Sequence, residues 1–224
     1  MKPLILLPTR SAVSIETLLC INEHLDGSRL LMAYRLPVVA ARNFLAKQAR
    51  ASEEPFVLWL DDDTWFTREH VDNAIGILEN NPSIDAVTAL AANRCAYSDS
   101  SVIAKAASIS PMSLQPGELA TVDACSFQFV MMRRSLLERL GDNPFNRLPG
   151  RMSDFSFCHR ARQMDGRIVT ERSIITGHVE VADGLIYFPY QAPMIANGLG
   201  RPTQYATGTP RMRQRTRSYD MVSR

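Results

Sequence analysis

The sequence predicts an α/β protein built on a mostly parallel central sheet with helices on both faces. Three observations carry that expectation. Short apolar runs alternate with stretches of helical periodicity through the first ninety residues, the pattern of successive strand–helix–strand units. The strand candidate Phe56–Leu60 is apolar throughout rather than at every second residue, as a strand covered on both faces is. The run Phe56–Leu60 ends abruptly in Asp61, Asp62 and Asp63. An unpaired carboxylate inside a sheet costs several kcal/mol, so these three belong at the strand's carboxyl end, where such a sheet opens its ligand crevice.

The elements follow in order. Leu4–Leu7 is a buried strand closed by Pro8, and a helix over Val13–Glu23 takes Ser11 or Ser14 as its cap. Leu30–Tyr34 is a second strand. Val38–Ala51 carries Val39, Phe44, Leu45 and Ala49 at helical spacing. After the strand Phe56–Leu60, Thr67 caps a helix that Asn80, Asn81 and Pro82 stop. Ala86–Leu90 is a further strand. Residues 93–120, rich in Ser, Ala, Gly and Pro, suggest a long excursion with a hairpin. Val122–Arg133 reads as one strand, Ser135–Leu140 as a short helix ended by Gly141, and Ser153–Met164 as a helix capped by Ser153 and stopped at Asp165 and Gly166. Arg167–Thr170 and Ser173–Ile175 are two short strands, and the pattern dissolves after His178.

A chain of 224 residues can bury one substantial core. The expected organisation is one catalytic domain over residues 1–200 and a basic, flexible tail over 201–224. The tail holds six arginines and one aspartate, +5, which leaves −3 for residues 1–200 of a chain whose total is +2. Such a tail suits phosphates, nucleic acid or an acidic surface, or is simply a solubilising terminus. No apolar run approaches the ~20 residues of a membrane span. The N-terminal run is too short for a signal-peptide core, and Cys20, Cys95, Cys125 and Cys158 form no C-x-x-C pair. Reduced thiols in a cytoplasmic protein are the expectation.

Alternate residues Asp61 and Asp63 can converge on one hard cation, Mg²⁺ or Mn²⁺; the bland alternative is a solvated acidic turn. Other pieces stand in a fixed order around them: Pro8-Thr9-Arg10 after the first strand, Ala41-Arg42-Asn43 on a helix, the Asp61–Thr64 turn, Ser126–Arg134, Pro144-Phe145, Ser153–Arg162, Gly166-Arg167-Ile168 and Gly177-His178-Val179. This ordered set, over roughly residues 3–180, resembles the GT-A-fold glycosyltransferases, the family 2-like group in particular. The resemblance implies a nucleotide-diphospho-sugar transferase fold and a donor such as a UDP- or GDP-sugar. It implies a divalent cation on Asp61 and Asp63, with His178 completing the metal shell and Asp62 touching ribose or base. Pro8, Thr9 and Arg10 then lie at the nucleotide, and Arg42 reaches the base or a phosphate, unless it is a surface salt bridge.

Asp154 matches the Asp of the family's Glu-Asp pair, the general base of inverting members; Ser153 stands where the Glu would be. The competing role for Asp154 is a first-turn charge favouring the helix dipole. Trp59 reads as core, and Trp65 as core or as a stacking surface for sugar or base. Arg160 and Arg162 read as solvated, and the stretch 182–210, with Tyr187, Tyr190 and Tyr205, as a cover over the donor.

Two rival functions stand beside transfer to a glycan or small-molecule hydroxyl. One is a nucleotidyltransferase using Asp61 and Asp63, against which counts the lack of a Gly-rich phosphate loop or a Lys after Pro8. The other is nucleic-acid binding through the tail, either alone or joined to transfer onto a modified DNA base. Sugar, nucleotide, acceptor, stereochemistry and oligomeric state are not legible.

Overall fold

The computed structural model describes residues 1–93, 96–100, 102–104, 114–115, 117–180, 185–188, 194–196 and 202–205. In chain order the elements are β1 (Leu4–Thr9), α1 (Ile15–His24), β2 (Leu30–Tyr34), α2 (Val38–Arg50), β3 (Phe56–Leu60), β4 (Thr64–Trp65), α3 (Arg68–Asn80), β5 (Ala86–Asn93), β6 (Ala96–Ser100) and β7 (Val102–Ala104). There follow β8 (Leu119–Cys125), β9 (Phe129–Arg133), α4 (Arg134–Leu140), α5 (Ser153–Gln163), β10 (Ile168–Glu180), β11 (Leu185–Tyr187), β12 (Met194–Ala196) and β13 (Pro202–Tyr205).

The sheet runs β2-β1-β3-β9-β5-β10-β11-β12-β13. Strands β1, β2 and β3 pair in parallel, as do β5 and β10, and β9 lies antiparallel between β3 and β5. Five of these six central strands therefore share one direction, which is the mostly parallel α/β fold expected. The two-residue side-chain period of a strand sorts its residues onto two cores. Leu4, Leu6, Val57, Trp59, Val130 and Met132 pack with Ala41 and Leu45 of α2, Leu136 of α4 and Phe157 of α5. Ile5, Leu58, Leu60, Phe129 and Met131 pack on the other face, with Cys20 of α1 and Val71, Ile75 and Leu78 of α3. Trp59, fully buried as expected, meets Phe127 and Phe145 edge-on at 5.6 and 5.0 Å, contacts each adding about 0.5–1.5 kcal/mol beyond area burial.

Several boundaries differ from the sequence reading. Pro8 does not close β1, which runs on to Thr9; the register with β3 stops at Leu6, and Pro8 faces only β2. The missing N–H therefore breaks no ladder toward β3. The run Val122–Arg133 is two strands broken at Ser126–Gln128, where the chain passes from β8 to the central β9. Arg167–Thr170 and Ser173–Ile175 are one strand, β10, with a bulge between Thr170 and Ile175. Buried Glu171 sustains that bulge by accepting from the Gly117 and Ser173 backbone N–H groups at 2.7 and 2.8 Å. Met152, not Ser153, caps α5. Of the two serines offered for α1, Ser14 is the cap, accepting from Thr17 N at 3.1 Å. Strand β13 lies inside the stretch assigned to the tail, so the sheet reaches past residue 200; residues 206–224 lie outside the described residues.

Candidate functional site

The Asp61–Asp63 turn sits at the carboxyl end of β3, as the burial argument requires, and is built from both sides. The Asp61 N–H donates to the Gln128 carbonyl at 3.2 Å, and the Ser14 N–H, at the start of α1, donates to the Asp62 carbonyl at 2.8 Å. The Thr17 hydroxyl donates to the Thr64 carbonyl at 2.9 Å. Straight after the turn, β4 pairs antiparallel with β10, setting Thr64 opposite His178 and Trp65 opposite Gly177. The Val179 N–H donates to the Asp63 carbonyl at 2.7 Å. That register carries His178 to the carboxylates: its Nε2 lies 3.3 Å from Asp63 Oδ2, with both side chains nearly buried.

Close packing permits this approach. A Cβ on Gly177 would stand 2.3 Å from Ile186 Cγ2 and 3.1 Å from the Phe188 ring, so only glycine lets β11 lie against β10 beside His178. The Gln128 side chain donates from Nε2 to the Gly177 carbonyl at 3.0 Å. Trp65 is half-buried, edge-on to Phe188 at 5.3 Å and to His70 at 6.3 Å.

Asp61 turns the other way, to Arg42 of α2. Arg42 Nη2 is 3.3 Å from Asp61 Oδ1, Nη1 is 3.2 Å from Ser153 Oγ, and Nη1 is 4.0 Å from Asp154 Oδ2. The guanidinium is 5 % exposed and lies over the Phe127 and Phe145 rings at 5.2 and 5.8 Å. It is therefore neither a surface salt bridge nor aimed into open solvent; its two terminal nitrogens are engaged by three side chains of the chain itself. Asp154, in the first turn of α5, also accepts from the Phe155 N–H at 3.0 Å. Arg160 on the same helix ties down the preceding loop by donating to the Pro144 and Asn146 carbonyls, and Arg162 pairs with Asp123, so neither is merely solvated as the sequence suggested.

Burial first, and like charges after it, weaken the acidity of the turn. Burial pushes the Asp61 carboxyl upward; the Arg42 cation opposes the push, and Asp63 and Asp154 add to it. A third of the Asp61 side chain still meets solvent, which tempers the effect. Asp62 is likewise raised, by burial first and then by its two neighbours, against a hydrogen bond from Thr9. Thr9 is buried at the end of β1, and its single hydroxyl proton is shared between the Asp62 carboxylate and the Ala12 carbonyl, the latter at 3.1 Å. Pro8 is a buried strand residue, and Arg10 is exposed just beyond.

The fold thus gathers two linked clusters at one sheet edge: Asp63 with His178, and Asp61 with Arg42, Ser153 and Asp154. Thr9 and Asp62 adjoin them, while no hydrogen bond or ion pair ties Pro8 or Arg10 to either cluster among the described residues. Sequence reasoning gave no positioning role to Ser153, Gln128, Thr17 or the Phe127–Phe145 ring pair. The signal was present only for Ser153, Gln128 and the rings, which lie within the ordered motifs. Most of the stretch read as a donor cover lies outside the described residues. No helix among the described residues is long and apolar enough to cross a membrane.

Fold and site together define an α/β protein with a mostly parallel central sheet and a carboxylate-and-histidine cluster at the carboxyl end of β3. Neither a family model nor a curated protein matches the sequence. Among solved structures, A197 from STIV matches with a TM-score of 0.64 at 16 % identity, over 94 % of this chain and 100 % of that one; the likeness establishes a shared fold and nothing further. GalNAc-T7 with UDP, GalNAc and Mn²⁺ gives 0.49 at 14 % identity, over 68 % of this chain and 32 % of that one. The mannosyltransferase PcManGT from Pyrobaculum calidifontis in complex with GDP-Man and Mn²⁺ gives 0.48 at 18 %, over 78 % and 56 %. The chain spans only those fractions of the two transferases, and both likenesses are too slight to carry an argument.

Proposed function

We propose that the chain is a metal-dependent glycosyltransferase that moves a sugar from a nucleotide-sugar donor to an acceptor hydroxyl. The observation carrying this reading is the Asp63–His178 pair at the mouth of the sheet. Its 3.3 Å separation is close to the roughly 3 Å between neighbouring ligands of an octahedral cation bound at about 2.1 Å, the geometry of Mg²⁺. A carboxylate oxygen and an imidazole nitrogen also suit Mn²⁺. Among the described residues no three His, Cys, Asp or Glu converge as a complete cage. Two protein ligands are enough for an ion that keeps waters and binds phosphates. Asp63 and His178 would hold it, whereas Asp61, expected as a second ligand, is the partner of Arg42.

A cation bound there would supply Lewis-acid stabilisation to a diphosphate leaving group. The chain's own residues do the rest. Thr9 and Asp62 offer a hydroxyl and a carboxylate for ribose or base. Asp154 takes the proton from the acceptor hydroxyl. Its Oδ1 is held by the Phe155 N–H and its Oδ2 faces Arg42, which is the fixed orientation a general base requires.

Calorimetric titration of UDP and GDP in the presence of Mn²⁺ or Mg²⁺ tests the reading. Metal-dependent binding is expected, weakened about 10–100-fold in Asp63→Asn and in His178→Ala, by analogy with lost metal-site groups. Absence of binding for every nucleotide and metal combination refutes it.

A further inference from the structure

Arg42 was expected to touch the donor, yet its geometry points inward. Its Nη2 meets Asp61 and its Nη1 meets both Ser153 and Asp154, residues from the turn after β3 and from α5 that are distant in sequence. Two aromatic faces flank its charge. Nε is buried with no hydrogen-bond partner among the described residues. Desolvating a guanidinium this far is costly, and an apolar side chain would serve packing alone as well or better. What the arrangement provides that packing does not is a rigid planar fork: one terminal nitrogen bonds Asp61 at 3.3 Å, and the other bonds Ser153 at 3.2 Å and faces Asp154 at 4.0 Å as an ion pair.

We infer that Arg42 is a positioning residue: it sets the Asp154 carboxylate against the Asp61–Asp63 turn, so that base and donor site keep a fixed separation. This rests on the transferase reading and assigns Arg42 no contact with the donor. Ser153, which stands where the resembled family has a carboxylate, is part of the same device. A hydroxyl accepts from Nη1 without adding a third negative charge beside Asp61 and Asp154. Lysine at position 42 would keep the charge and lose the fork, since one ammonium cannot hold Asp61 from one nitrogen and Ser153 and Asp154 from another.

The test compares wild type with Arg42→Lys, Asp154→Asn and the double variant by three measurements. The first is calorimetric binding of UDP and GDP with Mn²⁺. The second is single-turnover hydrolysis of UDP- and GDP-hexoses, in which water stands in for the acceptor. The third is thermal melting without metal or nucleotide. Arg42→Lys should bind nucleotide within about threefold of wild type while turnover falls about 100-fold, the scale of a misplaced catalytic group. The double variant should melt no lower than the worse single variant, because both substitutions break one contact. Equal losses in binding and turnover would make Arg42 a donor contact and overturn the assignment, as would unchanged turnover or additive melting shifts. A wild type that binds no nucleotide removes the transferase reading and this assignment with it. If nucleotide binds but no hexose turns over, melting decides: additive shifts overturn the assignment, and non-additive shifts support it.

Discussion

Replacing Gly177 by alanine tests the claim that close approach of β11 to β10 places His178. The added methyl meets Ile186 Cγ2 at 2.3 Å and two Phe188 ring carbons at 3.1 Å. Ordinary carbon–carbon contact is about 3.5–4 Å, so Ile186 must retreat by more than 1 Å. Ile186 is fully buried and β-branched, with Val179 and Phe188 packed around it, so it has little rotamer freedom with which to do so. Overpacking of this kind costs about 1–3 kcal/mol; near the middle of that range the folded-to-unfolded ratio drops roughly 30-fold. The strain falls next to His178, whose backbone is held by β11 on one side and by β4 on the other. Gly177→Ala should therefore lower the urea midpoint at unchanged slope and weaken Mn²⁺ binding by about tenfold, read by calorimetry with UDP or GDP present. A variant with wild-type midpoint and wild-type Mn²⁺ affinity would show that the β10–β11 packing does not govern the site.

Two further outcomes follow from buried polar groups. His70 closes the capping box of α3: its N–H donates to the Thr67 hydroxyl at 3.4 Å, and its Nδ1 accepts from the Thr67 N–H at 3.3 Å. Burial first, then the nearby His24, pull its pKa from 6.5 to about 4. Between those values the unfolded chain binds the proton and the folded one does not. Stability should be full above pH 6.5 and fall on acidification toward pH 4, by at most about 3 kcal/mol. Urea midpoints across that window check it, and His70→Gln, which keeps an acceptor at the same place, should flatten the slope. Thr17→Val removes the hydroxyl that donates to the Thr64 carbonyl from a fully buried position. A loss of about 1–3 kcal/mol is expected by chemical denaturation; an unchanged midpoint would mean the turn is held without it.

What the sequence shows well is what local chemistry dictates. Phe56–Leu60 is legible because five apolar residues in a row leave no solvent face, and the aspartates beyond it have nowhere else to lie. Thr67 and the asparagines near residue 80 delimit α3 through backbone groups a few residues away. What fails is what distant partners decide. Val122–Arg133 reads as one strand because Ser126–Gln128 contains no glycine or proline. The break exists because β8 pairs with β10 while β9 enters between β3 and β5. The polar Glu171 and Arg172 split β10 on paper, whereas the fold absorbs them as a bulge. At the site, the motif order brought out Asp63 and His178, yet their approach depends on the β4–β10 register. Arg42 could not be assigned at all from its own helix, since Asp61, Ser153 and Asp154 lie 19 to 112 residues along the chain.

The reversed strand β9 explains how the two clusters come together at this end of the sheet. It separates β3, which ends in the carboxylates, from β5 and β10, which brings the histidine. Parallel strands alone would leave those two ends side by side without a link. Gln128, the residue entering β9, supplies one from both its ends. Its carbonyl accepts the Asp61 N–H and the Thr64 hydroxyl, and its side-chain amide donates to the Gly177 carbonyl. One buried residue thereby spaces the aspartate turn from the histidine strand, while Arg42 spaces the same turn from α5 on the opposite side. The two clusters are thus set by different devices, a backbone-and-amide bridge for Asp63 and His178 and a guanidinium for Asp61 and Asp154. Disturbing the Gln128 bridge should therefore alter cation affinity first, and disturbing Arg42 should alter turnover first.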